Sequence, residues 1–372
     1  MKNKVNYFYG IDFLRWVAAL AIVFYHYLLH FQIVEINSSS FLNYLVINKE
    51  FAQAFVWMFW AISGFVFTNI YIKRDVTFKK FFVARFARLY PLHFVTLILV
   101  TVLQFISFII FDYTYQYSHL LVAYDLYHFI LNIFFASNWG LEKAWSFNTP
   151  VWSVSVEVPI YFLFFSSLFF IKKYKYLTPL IIICFVYFIL PDLINILETN
   201  ELIKPNHFQK IALSNFPRCI FYFFLGSFVF FIYSKLKEYS KILSILSFFS
   251  TLICITLLIL ESSQLNNLIN SFPSTVTLFF SLILFFACFD DIFPNLFKKF
   301  STISTTSYSI YLIHFPMQLI TLIIVEKFSL DFSLFKNYFI FLLFIGILQY
   351  ISILSFKYLE SPLRKIINLR YK

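Results

Sequence analysis

Ten long apolar segments, separated by short polar stretches, dominate the pattern of the chain. Each meets the rough 18-residue threshold for a helix that crosses the hydrocarbon core of a bilayer. The spans are predicted at about 11–31, 51–72, 82–111, 152–171, 177–197, 212–233, 242–260, 272–290, 303–325 and 337–359. We therefore expect an all-α, polytopic membrane protein whose helices surround a central polar cavity. Residues 1–372 are predicted to form a single transmembrane domain, with no appended extracellular domain.

Composition agrees with this class, because 61% of the residues are hydrophobic and 13% are charged, against about 25% charged in soluble domains. The net charge of +11 follows the topology. The N-terminus and every second loop carry 21 Lys and Arg residues, and the intervening loops carry seven. Those seven are Lys49, Lys143, Lys204, Lys210, Arg218, Lys327 and Lys336. By the positive-inside rule both termini are cytoplasmic, and the basic charge does not indicate a nucleic-acid partner.

The N-terminal apolar segment is predicted to be a retained helix rather than a cleaved signal peptide. It is too long for a signal peptide, contains Arg15 and lacks a small-x-small cleavage site. We expect a multi-pass protein of the cell (inner or cytoplasmic) membrane, in contact with the lipid bilayer. The outer stretch 112–151 is predicted to contain an interfacial or re-entrant helix within 120–135. Its aromatic residues indicate either an interfacial belt or a sugar-stacking surface.

Arg15 and His26 are ionisable residues inside the first span, where such side chains mark a functional site by default. The two positions differ by eleven residues, which places both on one helix face, roughly 16 Å apart along the axis. Counting residues from the span ends puts His26 and Glu157 at similar depths. A carboxylate beside an imidazole can orient its tautomer and favour a general base, and the alternative is a buried structural pair.

Arg85 and Arg88 lie three residues apart, so they share a helix face at the cytoplasmic end of the third span. Guanidinium groups there can bind phosphates in bidentate fashion, and the alternative is ordinary anchoring at the interface. His26 and His30 have the i,i+4 spacing of metal ligands, but no acidic or Cys cluster accompanies them, so we expect no metal. The pair Ser63-Gly64 is typical of close helix packing.

Polar residues around His314 can line a cavity; they are Ser307, Tyr308, Ser309 and Tyr311. With this set and the residues above, the chain resembles the acyltransferase 3 family over nearly its whole length. Six ordered blocks carry the resemblance: Gly10–Arg15 followed by His26, Phe59–Phe65, Arg85–Pro91, Pro150–Glu157, Ser307–His314 and Glu360–Pro362. One position departs from the family pattern, since Ala84 stands where members often have another Arg.

The resemblance implies a ten-helix enzyme that uses cytoplasmic acyl-CoA, usually acetyl-CoA, to O-acylate a carbohydrate on the outer side. It implies that His26 is catalytic, as general base or acyl carrier, and that Glu157 matches the acidic motif position. Arg15, Arg85 and Arg88 match positions associated with the donor. The expected substrate-binding residues are Trp152, Ser155, Tyr308 and His314. A surface polysaccharide or lipid-linked saccharide is the expected acceptor; macrolides, glycolipids and peptidoglycan are alternatives.

A second functional hypothesis is a transporter or exporter of acyl groups or saccharides, with a His/Glu proton relay. It predicts transport without consumption of acyl-CoA. The absence of inverted repeats and of paired broken half-helices in the sequence argues against it.

Overall fold

A computed structural model describes residues 6–31, 49–111, 123–199, 203, 205–262 and 272–371 of the chain. These ranges contain α-helices and short 3-10 or π-helical turns, with no β-strand among them. The helices are α1 Tyr9–His30, α2 Lys49–Tyr71, α3 Phe78–Phe111, α4 Leu126–Ile133, α5 Trp152–Tyr174, α6 Leu177–Cys184, α7 Leu190–Thr199, α8 His207–Leu236, α9 Ser240–Ser262, α10 Phe272–Ile292, α11 Ser301–Ser304, α12 Ser307–Lys327, α13 Tyr338–Ser355 and α14 Ser361–Arg370.

Within the described ranges, nine helical stretches are long and apolar enough to cross a membrane. The sixth stretch, His207–Leu257, includes both α8 and α9, which a 3-10 turn at Lys237–Tyr239 joins. The sequence predicted those two helices as separate spans, 212–233 and 242–260. The prediction of an all-α, polytopic membrane protein is therefore confirmed.

The short helix predicted within 120–135 is present as α4. The Asp125 side chain begins it by accepting a hydrogen bond from the backbone N–H of His128, at 2.8 Å. Such N-caps satisfy a donor that the first helical turn leaves free. The preceding residues 112–122, which include Tyr113, Tyr115 and Tyr117 of the predicted aromatic cluster, lie outside the described residues.

Helices α2 and α8 cross at two glycines. A Cβ added to Gly64 would lie 1.7 Å from the carbonyl oxygen of Phe223, and one added to Gly226 would lie 1.7 Å from that of Ala61. No larger residue fits at either position without moving a backbone. The hydroxyl groups of Thr68 and Ser227 contact each other nearby. The packing role predicted for Gly64 is thus confirmed, as small residues allow membrane helices to approach closely.

Helices α1 and α12 lie side by side and run in the same direction. His26 contacts His314, and four residues later in both helices His30 contacts Gln318. Helices α2 and α5 are also parallel neighbours. The Trp60 indole donates to the Ser153 carbonyl at 3.3 Å, and further along both helices the Phe67 ring stacks on Tyr161. These two helix pairs, together with α3, surround the interior of the bundle.

We predict that Gly64→Ala and Gly226→Ala each destabilise the folded protein by about 1–3 kcal/mol, since the added methyl group must push two helices apart. Thermal unfolding of the purified protein in detergent measures this effect. Gly346→Ala is the matched control, because an added Cβ there has nothing within 4 Å. If Gly64→Ala and Gly346→Ala unfold at the same temperature, the close crossing of α2 and α8 is not important for stability.

Candidate active site

A cavity of about 120 Å³ lies between α1, α2, α3, α5 and α12. Five of the predicted site residues line it: Arg15, Arg85, Arg88, Glu157 and Tyr308. Three helices, α1, α3 and α5, thus bring together charged side chains from positions as far apart in the sequence as Arg15 and Glu157. We call it the arginine cavity.

Each of the three arginines is held by contacts that leave most of its guanidinium donors available. The Arg15 Nη1 lies 3.7 Å from Asp12 Oδ1, and the Arg15 side chain is 18% exposed. The guanidinium of Arg85 stacks 4.5 Å from the centroid of the Phe67 ring. The guanidinium of Arg88 lies 5.8 Å from the centroid of Tyr308. Stacking on aromatic faces fixes a cation without consuming its hydrogen-bond donors.

Glu157 is the carboxylate of the arginine cavity. It interacts electrostatically with Arg15 and Arg85, and its side chain faces the hydroxyl groups of Ser63 and Tyr161. Its Oε1 atom is buried and has no hydrogen-bond partner among the described residues. The similar depths predicted for Glu157 and His26 therefore do not bring those two residues into contact, because Glu157 turns toward the arginines.

The imidazole partner of His26 is His314. The Nδ1 atom of His26 lies 2.8 Å from Nε2 of His314, with the two rings nearly parallel. His314 is fully buried, and its Nδ1 lies 3.3 Å from the carbonyl oxygen of Ile310. One turn further along, His30 Nδ1 lies 2.8 Å from Oε1 of Gln318. His26, expected to be catalytic, and His314, expected to bind the substrate, thus form one hydrogen-bonded pair.

Helix α12 connects the arginine cavity to the histidine pair. Tyr308 and Tyr311 line the cavity, and the Tyr311 ring centroid lies 6.0 Å from that of His314. The Tyr311 hydroxyl donates to the Pro150 carbonyl at 2.7 Å and contacts the Ser153 hydroxyl at 2.8 Å. Residues three apart on a helix share a face, so Tyr308, Tyr311 and His314 form a polar track along α12. Of the residues predicted to line a cavity, Ser307, Tyr308 and Tyr311 do so, whereas Ser309 bonds to Glu360 instead.

The two remaining predicted residues occupy different places. Trp152 packs edge-on against Trp60, with ring centroids 6.1 Å apart, and Trp60 lines the arginine cavity. Ser155 is fully buried on the other side of α5, where its hydroxyl accepts from the Asn138 backbone N–H at 3.0 Å. Ser155 thus holds the segment between α4 and α5 and does not line the cavity.

That segment contains a buried polar cluster. The side-chain amide of Asn138 donates to Glu142 at 3.1 Å and accepts from the Asn215 amide at 2.9 Å, while Asn148 donates to the Leu312 carbonyl at 3.0 Å. Burial raises the pKa of the Glu142 carboxyl above its usual range. These bonds tie the segment to α5, α8 and α12.

Sequence reasoning missed two charged residues beside the arginine cavity. Arg364, counted there only as a cytoplasmic basic residue, interacts electrostatically with Arg88 and Arg85. Glu360 is 4% exposed and accepts a hydrogen bond from the Ser309 hydroxyl. The π-helical turn Phe356–Glu360 joins α13 to α14 and carries both residues toward α3. The Glu360–Pro362 block was the available signal, but its position in space was not evident from the sequence.

The arrangement supplies two kinds of chemistry. Three guanidinium groups line the cavity, and a fourth, that of Arg364, interacts with two of them. Such groups can bind phosphates, which are good partners for the planar donor forks of arginine. An imidazole held by a second imidazole can accept a proton from a hydroxyl group. Among the described residues, no group of three His, Cys, Asp or Glu side chains is arranged to hold a metal ion.

The fold and this site define a multi-pass membrane protein with a cation-lined interior cavity and a buried histidine pair. The chain belongs to the acyltransferase 3 family, because the family model, described as an acyltransferase domain, matches residues 8–356. The protein is therefore a membrane acyltransferase. No curated protein and no solved structure matches the chain.

Proposed function

We propose that this membrane acyltransferase moves an acetyl group from acetyl-CoA to a hydroxyl group of a surface polysaccharide or lipid-linked saccharide. One observation carries the proposal: the polar track of α12 joins the arginine cavity to the His26–His314 pair. An acyl-CoA-dependent transfer to a hydroxyl requires a binding site for the phosphates of the donor and a nearby base. The arginine cavity is suited to the first role and the histidine pair to the second.

The arginine cavity is the proposed site for the phosphates of the donor. Arg15, Arg85 and Arg88 line it, and Arg364 interacts electrostatically with Arg88 and Arg85. These four cations interact with three carboxylates, Glu157, Asp12 and Glu360. One positive charge is left over, so a bound anion improves the charge balance. The pantetheine arm then follows the track past Tyr311. Arg15 and His26 are roughly 16 Å apart along α1, which the extended arm can cover.

The hydrogen bonds of the histidine pair favour one tautomer of His26. The carbonyl of Ile310 can only accept, so Nδ1 of His314 carries a hydrogen and its Nε2 is the acceptor. Nδ1 of His26 then donates to that Nε2, and the lone pair of His26 lies on its own Nε2. This atom has no hydrogen-bond partner among the described residues. His314 is therefore proposed as a positioning residue, and His26 as the base.

In the proposed step, His26 Nε2 takes the proton from the acceptor hydroxyl as its oxygen attacks the thioester carbonyl carbon. The new C–O bond forms and the C–S bond breaks. The coenzyme A thiolate leaves and takes the proton from the imidazolium, which restores His26. If a transient acyl-imidazole formed instead, His26 Nε2 would attack the thioester carbonyl carbon and hold the acetyl group before its transfer to the hydroxyl.

The topology indicates from which side of the membrane each substrate enters. The excess of basic residues at one end of the spans supports a cytoplasmic location for the arginine cavity and both termini. The donor then enters from the cytoplasm, and the acceptor reaches His26 from the outer side of the cell membrane.

We predict that His26→Ala lowers the rate of acetyl transfer by about 10²–10⁴-fold, since the general base is lost. Transfer of radiolabelled acetyl groups from acetyl-CoA to the saccharide, in membranes that hold equal amounts of protein, measures it. His207→Ala, at the exposed start of α8, is the control and should retain activity.

The same assay tests the positioning role of His314. His314→Leu is expected to lower kcat by about 10²-fold without raising KM for acetyl-CoA, because a misplaced base reacts slowly. His314→Gln offers a side-chain oxygen to His26 and should recover part of that loss. Equal activities of the Leu and Gln variants would contradict the proposed tautomer, and an active His26→Ala variant would contradict the base.

We predict that Arg364→Gln raises KM for acetyl-CoA by about threefold to tenfold and leaves kcat nearly unchanged. An exposed charged hydrogen bond to a phosphate contributes to binding of the donor in both the ground state and the transition state. Arg370→Gln, one and a half turns further along α14, is the matched control. An effect confined to kcat, or an equal effect of both substitutions, would remove Arg364 from the donor site.

A further inference from the structure

A second cavity, of about 530 Å³, lies between α7 and α8, away from the arginine cavity. One wall is apolar and includes Val186, Tyr187 and Pro191. The opposite wall is α8, which contributes Lys210, Ser214 and Arg218. Tyr187 and Pro191 are exposed, so the cavity opens at the outer surface of the helix bundle. We call it the lateral pocket.

The polar residues of the lateral pocket form a stripe along one face of α8. Lys210, Ser214 and Arg218 are spaced by four residues, so they lie above one another on the helix. Helical side chains lean toward the N-terminus, and the guanidinium of Arg218 is therefore directed toward the His207 end. Arg218 was counted among the loop residues in the sequence, but it lies within α8, roughly 16 Å from the start of the helix.

The charge of Arg218 is not neutralised by an ion pair among the described residues. Its guanidinium lies 5.4 Å from the centroid of Trp57, and its side chain is exposed at membrane depth. No salt bridge to Arg218 is formed by the described residues. Glu198 also lines the lateral pocket, and with Lys210 and Arg218 it gives a net charge of +1. A cation in this position is costly unless a partner or a polar cavity compensates it.

We propose that the lateral pocket binds a diacyl phospholipid from the leaflet at the His207 end of α8. Its phosphodiester accepts hydrogen bonds from Arg218 and Lys210, and one acyl chain lies along the apolar wall. The single negative charge of a phosphodiester matches the net charge of the pocket. The π-helical turn Phe185–Ile189 lies between α6 and α7 and contributes Val186 and Tyr187 to that wall.

Native mass spectrometry of the purified full-length protein tests this proposal directly. The probes are phosphatidylglycerol and a diacylglycerol with the same acyl chains, which lacks the phosphate. We expect one phosphatidylglycerol to bind with about 25-fold preference, since each cation near a lipid phosphate contributes a factor of roughly five. Equal binding of the two lipids would overturn the proposal.

Substitutions then locate the bound lipid. Arg218→Met and Lys210→Gln should each weaken phosphatidylglycerol binding by about fivefold, and Arg218→Lys should largely preserve it. Lys327→Gln, at the same end of the bundle but outside the lateral pocket, is the matched control. Unchanged binding in Arg218→Met and Lys210→Gln, or the same loss in Lys327→Gln, would contradict the site. Displacement of phosphatidylglycerol by an equal concentration of polyprenyl phosphate would contradict a diacyl phospholipid as its occupant.

Discussion

The cost of placing charged groups inside a bundle of apolar helices is the constraint on which this structure depends. Arg15, Arg85 and Arg88 are retained at membrane depth because they share one cavity with Glu157 and with aromatic rings that stack on them. Such residues are tolerated in membrane spans when they face a cavity or one another. Three arginines and one carboxylate line the cavity, so its lining carries a net positive charge, and a phosphate-bearing donor is the proposed anion.

Two other features shape this cavity and connect it to the histidine pair. The close crossing at Gly64 and Gly226 holds α2 against α8, which places Ser63 and Trp60 at the cavity wall. Helix α12 connects the cavity to the histidine pair, since its polar residues run from Tyr308 and Tyr311 to His314, which contacts His26. The proposed transfer from acetyl-CoA needs such a connection, because that donor is charged and the acceptor hydroxyl must lose a proton near His26.

The sequence was sufficient to predict the helical class, most spans and the shared face of Arg15 and His26, because these depend on local length and periodicity. The sequence did not show which face of each helix points toward the cavity. Equal depth suggested a contact between His26 and Glu157, yet rotation of α5 directs Glu157 toward Arg15. Arg364 was missed for a similar reason. A π-helical turn places it beside α3, and no local sequence pattern predicted that turn.

A cryo-electron microscopy structure with a non-reactive acetyl-CoA analogue tests the central claim most directly. We predict that its phosphates lie within hydrogen-bond distance of Arg15, Arg85 or Arg88, with the pantetheine arm along Tyr311. The acetyl carbon should lie where an acceptor oxygen held by His26 Nε2 can reach it, at about 3–3.5 Å. An analogue bound outside the arginine cavity, or an acetyl group far from His26, would contradict the account.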